Sequence, residues 1–220
     1  MHLTLDGYRW LVIAVTNRSR GSRRSARGGR PVAGTELTPS NMAAATLDVI
    51  RDEGVEGLTR QQVAQRLNVS VRALYRLAPT ADHLLADAVA EWQRRWQKPP
   101  HTGNWREDLR RWCVASRAHA AAFPGLTAAA QNLPPDLHQD ETGPVVQAVV
   151  QCLSQAGFDT QTARLFFGVL SMHALGWAVV FPERRETSWT ENGPHLQFRE
   201  QGFELGLDLL LDGIASKLPS

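Results

Sequence analysis

Cysteine is scarce in this 220-residue chain, with Cys113 and Cys152 the two present. Two isolated thiols exclude a disulfide framework and a cysteine zinc site, and they read as reduced, buried side chains. Lysine is scarce too. Lys98 and Lys217 stand against 22 arginines among the 24 basic residues. Long apolar runs are missing. The longest, Leu165 to Phe181, reaches only the short edge of the roughly 20 residues a membrane span needs. Ser171 and His173 interrupt it, so it reads as a buried core helix and no membrane partner is expected. No Gly-rich phosphate loop, no His/Glu pair at metal-ligand spacing and no nucleophile motif is present. No metal, cofactor or catalytic residue is therefore expected, and the chain reads as a non-enzyme. The short run Trp10–Val15 is followed by charge rather than by a small-residue cleavage site, which points to the cytoplasm rather than to secretion.

Apolar residues make up 43% of the chain, enough for a real core, and the net charge is only +2. That charge is unevenly spread. Residues 1–37 hold seven arginines and two acids, residues 38–98 eight bases and seven acids, and residues 99–220 nine bases and thirteen acids. A basic front and an acidic back suit a polyanion-binding end and a separate solvated end. Within the front, Asn17 to Gly34 interleaves six arginines with Gly and Ser and has no periodic apolar positions. By composition it is a disordered arm, able to meet phosphates or a minor groove, or simply solvated.

The densest local pattern is LTRQQVAQRLNVSVRALYRL, residues 58–77. Thr59 can cap a helix from about Arg60 to Leu67, whose Val63, Ala64 and Leu67 share a face. Asn68 tolerates the left-handed conformation that a sharp helix end requires. Ser70 can cap a second helix with Leu74 on its buried side, leaving Arg72, Tyr75 and Arg76 to point away. This is a helix-turn-helix, which serves either as a packing corner or as a device that places its second helix in the major groove of DNA.

The flanks extend the pattern. Thr38 caps a helix from Pro39 to about Glu53, with Met42, Ala43, Leu47 and Ile50 on one face and Gly54 as its stop. A fourth helix is expected from near Ala81 to about Gln97, striped by Leu84, Leu85, Ala88, Val89 and Trp92. The cluster from Lys98 to Gly103 marks a boundary. With Arg51-Asp52-Glu53-Gly54, Leu58-Thr59, Val63 to Leu67, Val69-Ser70, Ala73-Leu74-Tyr75 and Leu84-Leu85 in this order, residues 38–96 resemble the DNA-binding domain of the TetR family of bacterial transcriptional regulators. The chain departs from that family in having Asn68 where glycine is usual, and Leu77 and Ala81 where a histidine and a lysine are frequent.

Beyond the boundary the pattern stays helical. Helices are expected from Asn104 to about Phe123, on to Asn132, from Pro144 to Ala156, from Thr160 to Phe181, and from about His195 to Lys217. The helix ending at Phe181 is apolar nearly all round and should be buried on more than one side. In the last helix Leu196, Phe203, Leu207, Leu210 and Ile214 form a seam, with Leu205 and Leu209 on a second stripe. Gly202, Gly206 and Gly213 weaken it locally while letting a neighbour approach. The resemblance implies that these last helices form a four-helix bundle between two subunits.

The expected architecture is all-α: a basic arm at 1–37, a three-helix helix-turn-helix domain at 38–98, and a helical ligand-binding and dimerisation domain at 104–220. Arg72 is the candidate base reader, because a guanidinium can bond both acceptors of a guanine edge. Tyr75 and Arg76 are candidates for phosphates, Thr59 and Gln61 for a base or phosphate, and Val71 and Ala73 for a thymine methyl. Aromatic walls with a few polar groups make Trp112, Ser116, His119, Phe166, Leu170, His173 and Trp177 candidates for a small-molecule pocket, against the plainer reading of helix core. The chain thus reads as a homodimeric regulator with a duplex DNA operator and an unidentified effector as partners, and the resemblance implies repression, the family's commonest mode. The alternative is an all-helical enzyme or carrier that uses the corner as scaffold.

Overall fold

The computed structural model describes residues 37–137, 143–181 and 194–218. The arginine arm, the loop at 138–142 and the segment 182–193 lie outside the described residues. Among the described residues every regular element is helical: α1 (Pro39–Glu53), α2 (Arg60–Leu67), α3 (Val71–Leu74), α4 (Ala81–Arg95), α5 (Trp105–Ala121), α6 (Leu126–Gln131), a 3₁₀ turn (Pro135–Leu137), α7 (Gly143–Gln155), α8 (Thr160–Val180) and α9 (Pro194–Ala215). The all-α expectation holds.

The first helices begin where the sequence supplies an oxygen for a free backbone N–H. Thr38 accepts from Asn41 N at 3.1 Å, Thr80 from His83 N at 3.2 Å, and Asn104 from Arg106 N at 3.0 Å. Each such cap is worth about 1 kcal/mol over alanine. α1 stops at Gly54, whose φ of 74° suits a residue without Cβ and whose N–H closes onto Ile50 O at 2.8 Å. α8 is capped by Asp159, one residue ahead of the Thr160 that opens it.

Three apolar clusters hold the described chain. The first packs Met42 and Val49 of α1 against Val63 and Leu67 of α2, Leu74 of α3 and Leu84 of α4. The second joins Leu47 and Ile50 of α1 and Ala88, Val89 and Trp92 of α4 to Ala120, Phe123 and Leu126 at the α5–α6 corner. The third fills the body with Leu109 and Trp112 of α5, Val149 and Leu153 of α7, Leu170 and Ala174 of α8, and Phe203, Leu207 and Leu211 of α9. At about 1.5–3 kcal/mol per fully buried large apolar side chain, these clusters are the main stabilising term. The second cluster links α1 and α4, the helices that flank the corner, directly to the body. Val55 N also donates to Pro124 O at 3.2 Å.

Two seam readings change. On α9 the buried row is Phe203, Leu207, Leu211 and Ile214, with Leu211 taking the place read for Leu210; Leu210 is only partly covered. Leu196 carries no described side chain. In the single chain α8 is covered on one side only: Ala163, Leu170, Ala174 and Ala178 face inward, while Leu165, Val169, Met172, Val179 and Val180 are exposed. α9 likewise exposes Phe198, Leu205 and Leu209. α8 is long and apolar enough to cross a membrane by length and composition, yet here it packs on α5, α7 and α9.

α9 is also fastened by charge. Arg106 of α5 pairs with Asp212 at 2.5 Å, Arg110 with Glu204 at 2.9 Å and with Asp208, and Arg117 with Glu200. As α5 is climbed, its partners descend α9, so the two helices run antiparallel. The Arg117 guanidinium also lies 4.4 Å from the centre of the Phe203 ring, a cation–π contact.

Candidate nucleic-acid interface and body cavity

The corner is rigidly built. Thr59 accepts from Gln62 N at 3.3 Å while Gln62 Oε1 accepts Thr59 N at 3.0 Å, a reciprocal capping box. The Thr59 hydroxyl is thus spent on the helix start, also donating to Gln62 Oε1 at 2.6 Å. Asn68 takes φ 54° and ψ 43°, the left-handed conformation, so asparagine does here what glycine does elsewhere. Val69 N returns to Ala64 O at 3.0 Å and closes the turn. Ser70 accepts from Ala73 N at 3.2 Å and starts α3.

α3 is shorter than the sequence pattern suggests. It spans Val71–Leu74, and the chain then turns through Tyr75, Arg76 and Leu77. Leu77 N and Ala78 N both close onto Leu74 O, at 3.0 and 2.9 Å. Leu74 and Ala78 are fully buried and anchor this short element. Arg72, Tyr75 and Arg76 are exposed, with Tyr75 at 51%, and Val71 and Ala73 are half-buried. Gln61 is exposed on the first turn of α2. Among the described residues no carboxylate pairs with Arg72 or Arg76, whereas Arg51 and Arg66 on the neighbouring surface pair with Asp48 and Asp52.

One contributor escaped the sequence reading. Arg60, at the start of α2, sends its guanidinium to Ala78 O and Pro79 O, both at 3.3 Å, and lies 4.5 Å from the centre of the Tyr75 ring. It ties the α3–α4 connection to α2 and holds Tyr75 against the corner. Fifteen positions separate the two side chains, so no local spacing rule reveals the contact.

The pocket candidates divide. Ser116 and Leu170 are buried in the helix core. The His119 ring stacks on Trp92 at 5.1 Å, its Nε2 bonds Trp92 O at 2.9 Å, and Trp92 Nε1 donates to His119 O at 3.3 Å, clamping α4 to α5. Burial holds the His119 pKa below the ordinary histidine range, although the bond to the Trp92 carbonyl opposes this. His173 stacks on Phe203 at 4.9 Å and its Nε2 bonds Phe203 O at 2.9 Å. Trp177 stacks on Phe181 at 5.0 Å, and Phe166 meets Phe158 edge-on at 5.1 Å. Among the described residues these side chains pack against one another.

A cavity of about 180 Å³ lies elsewhere, between the α4–α5 linker, α5 and α7. Of the pocket candidates, Trp112 alone lines it, with Leu109, Val149, Lys98, Cys152 and Gln155 among its other walls. On its rim Asp108 takes the Thr102 N–H and hydroxyl, both at 2.8 Å, and lies against Nδ1 of His101. Burial alone raises the pKa of Asp108, but these partners outweigh it and hold the carboxyl low. The linker reads in sequence as a boundary, which is why its part in a cavity wall was missed.

No protein-family model matches the sequence. Among curated proteins, the tetracycline repressor protein class E of Escherichia coli is 26% identical over 204 residues, spanning 83% of this chain and 92% of the relative. Among solved structures, the TetR family protein ActR of Streptomyces coelicolor in complex with actinorhodin superposes with a TM-score of 0.68 at 20% identity, over 84% of this chain and 98% of that one. BioQ with its double-stranded DNA operator superposes with a TM-score of 0.63 at 21% identity, over 82% and 99%. These likenesses give the chain the fold of the TetR family of bacterial transcriptional regulators and a sequence similar to that of tetracycline repressors.

Proposed function

We propose that two copies of this chain form a cytoplasmic repressor that releases its DNA operator when a small molecule enters the body. The observation that carries this reading is the corner itself. A reciprocally capped α2 and a left-handed Asn68 present Arg72 and Arg76, which have no carboxylate partner among the described residues, beside a Tyr75 held by Arg60. In this reading residues 38–98 form the DNA-binding head, 104–220 the body, and the arm at 1–37 adds cationic contacts to phosphates. Arg72 reads a base edge, with Val71 and Ala73 toward a thymine methyl. Tyr75, Arg76 and Gln61 position the head on the backbone. Thr59 acts through its cap.

Homodimerisation is supported by the exposed apolar stripes on α8 and α9, which a second copy would cover. Effector response is supported by the continuous packing from body to head: α5 clamps α4 through His119 and Trp92, and α4 packs on α1. An effector that binds one body arrangement better than the other shifts the two heads away from groove spacing. The role is binding rather than catalysis.

Fluorescence anisotropy with duplex DNA selected from a random pool tests the head assignment. Arg72→Ala is expected to weaken binding by about 1–3 kcal/mol and to relax preference at one position per half-site. Unchanged affinity across operator variants refutes the assignment.

A further inference from the structure

α9 carries more leucine than one buried row needs. Phe203, Leu207, Leu211 and Ile214 are buried, while Leu205 and Leu209 on the opposite row are exposed. Apolar periodicity does not say which row turns inward, since either would fill a core. The ion pairs to α5 decide it only weakly. Their carboxylates on Glu200, Glu204, Asp208 and Asp212 are about half exposed or more, and exposed pairs contribute little. Shape separates the rows. His173 and Trp177 stand one turn apart on α8, and Gly202 and Gly206 stand one turn apart on α9. A Cβ on Gly206 would lie 2.6 Å from Cε1 of His173, and a Cβ on Gly202 would lie 2.6 Å from Cη2 of Trp177. Each ring edge fills the place of a missing side chain. Seated there, His173 Nε2 donates to Phe203 O at 2.9 Å. Both rings also meet the Phe203 ring, His173 stacked at 4.9 Å and Trp177 edge-on at 6.4 Å.

We propose that these two ring-in-hollow contacts fix the register and rotation of α9 on α8, and thereby align the apolar rows that a second copy of this chain covers. His173 and Trp177 are then positioning residues for homodimerisation. The proposal rests on the homodimer reading above and names what sets its interface. The outward rows adjoin the contacts in sequence. Exposed Met172 precedes His173 and continues the row of Leu165 and Val169 on α8, while exposed Leu205 precedes Gly206 and continues to Leu209 on α9. Turning α9 by one residue would swing its outward row through about 100° and out of line with the row on α8. Sliding it by one turn would set Leu210 against His173 or Phe198 against Trp177, and neither side chain leaves a hollow for a ring.

The test is subunit exchange in the full-length protein. Pools of each variant, labelled at the amino terminus with a donor or an acceptor fluorophore, are mixed, and the growth of energy transfer is followed well below the melting range of every variant. Gly206→Ala is expected to exchange about tenfold faster than wild type, because the added methyl drives the two helices apart. His173→Ala adds no atom and removes the ring with its bond to Phe203 O. It should also speed exchange, and it carries the test if Gly206→Ala does not fold. The double variant Gly206→Ala/His173→Ala puts a methyl in the space the ring leaves, and should return to within about threefold of wild type, a coupling that independent losses of stability do not produce. Gly202→Ala paired with Trp177→Leu should behave alike. Leu153→Ala, a core truncation on α7, lowers Tm without touching either contact and should leave exchange unchanged. The proposal is overturned, with the homodimer reading intact, by any of three results: exchange unmoved in Gly206→Ala and His173→Ala, a double variant as fast as the faster single one, or a Leu153→Ala protein as fast as Gly206→Ala. A wild-type protein that sediments as a monomer at micromolar concentration refutes the homodimer reading itself.

Discussion

Two glycines of the same helix should respond to the same substitution with opposite signs. At Gly206 of α9 an added Cβ would lie 2.6 Å from Cε1 of His173, far inside contact distance. His173 cannot step aside cheaply, because its ring is stacked on Phe203 and its Nε2 bonds the Phe203 carbonyl. Gly206→Ala gains about 1 kcal/mol in helix propensity. Against that stand about 1–3 kcal/mol for overpacking and about 0.5–1.5 kcal/mol for a weakened hydrogen bond. The net expectation is a loss of roughly 1–3 kcal/mol, a fall in Tm of about 3–10 °C for a chain of this size. At Gly213 an added Cβ meets nothing within 4 Å. Gly213→Ala should therefore stabilise by about 0.5–1 kcal/mol. Thermal and urea unfolding at one fixed protomer concentration, needed because association shifts Tm, measures both. A Gly206→Ala protein as stable as wild type would refute the claim that α8 and α9 lock through this close approach.

Other expectations follow from the corner and the histidines. Arg60→Met keeps the stem but removes the bonds to Ala78 O and Pro79 O and the cation over Tyr75. Operator affinity should fall about three- to tenfold from the loss of roughly 1 kcal/mol of positioning, read by anisotropy. Wild-type affinity would mean the clamp on Tyr75 has no part in binding. His119 and His173 are both held below the ordinary histidine value, each by burial first, with their carbonyl bonds opposing. The unfolded chain therefore takes up protons before the folded one as pH falls. Stability is full above the unfolded value near 6.5 and is lost as pH drops from there toward the lowered folded values. The urea midpoint should be lower at about pH 5.5 than at about pH 7.5, in a range above most carboxylate titration. A higher midpoint at the acid end contradicts the buried neutral state of these rings.

Much of the head was legible because its instructions are local. Thr38, Thr59, Ser70, Thr80 and Asn104 each cap the helix they precede, and Asn68 adopts the left-handed turn. Caps and turns depend on neighbours within a few residues, so the chain spells them out. The length of α3 was not legible. Tyr75 and Arg76 are acceptable helix residues, and it is the anchoring of Leu74 and Ala78 that turns the backbone there. The body was harder for a related reason. The arginines of α5 meet the acids of α9 across 83 to 106 positions, and apolar periodicity says nothing about which charges will face each other. The aromatic residues of α8 read equally well as pocket walls or as core, and the structure packs them against one another. The cavity instead borrows a linker whose prolines and exposed polar side chains mark a boundary in sequence. The choice between Leu210 and Leu211 is one helical step, and the partner helices decide it.

The central claim is that paired heads built on this corner read duplex DNA. The most direct test selects bound sequences from a random duplex pool with the full-length protein, then measures stoichiometry and affinity on the winner as salt is raised. We expect a roughly palindromic site with two half-sites, occupied by an even number of protomers, and an affinity that falls steeply between about 50 and about 200 mM salt. A pool that yields no enriched sequence, or binding indifferent to salt, would contradict it and leave the corner as a piece of helical packing.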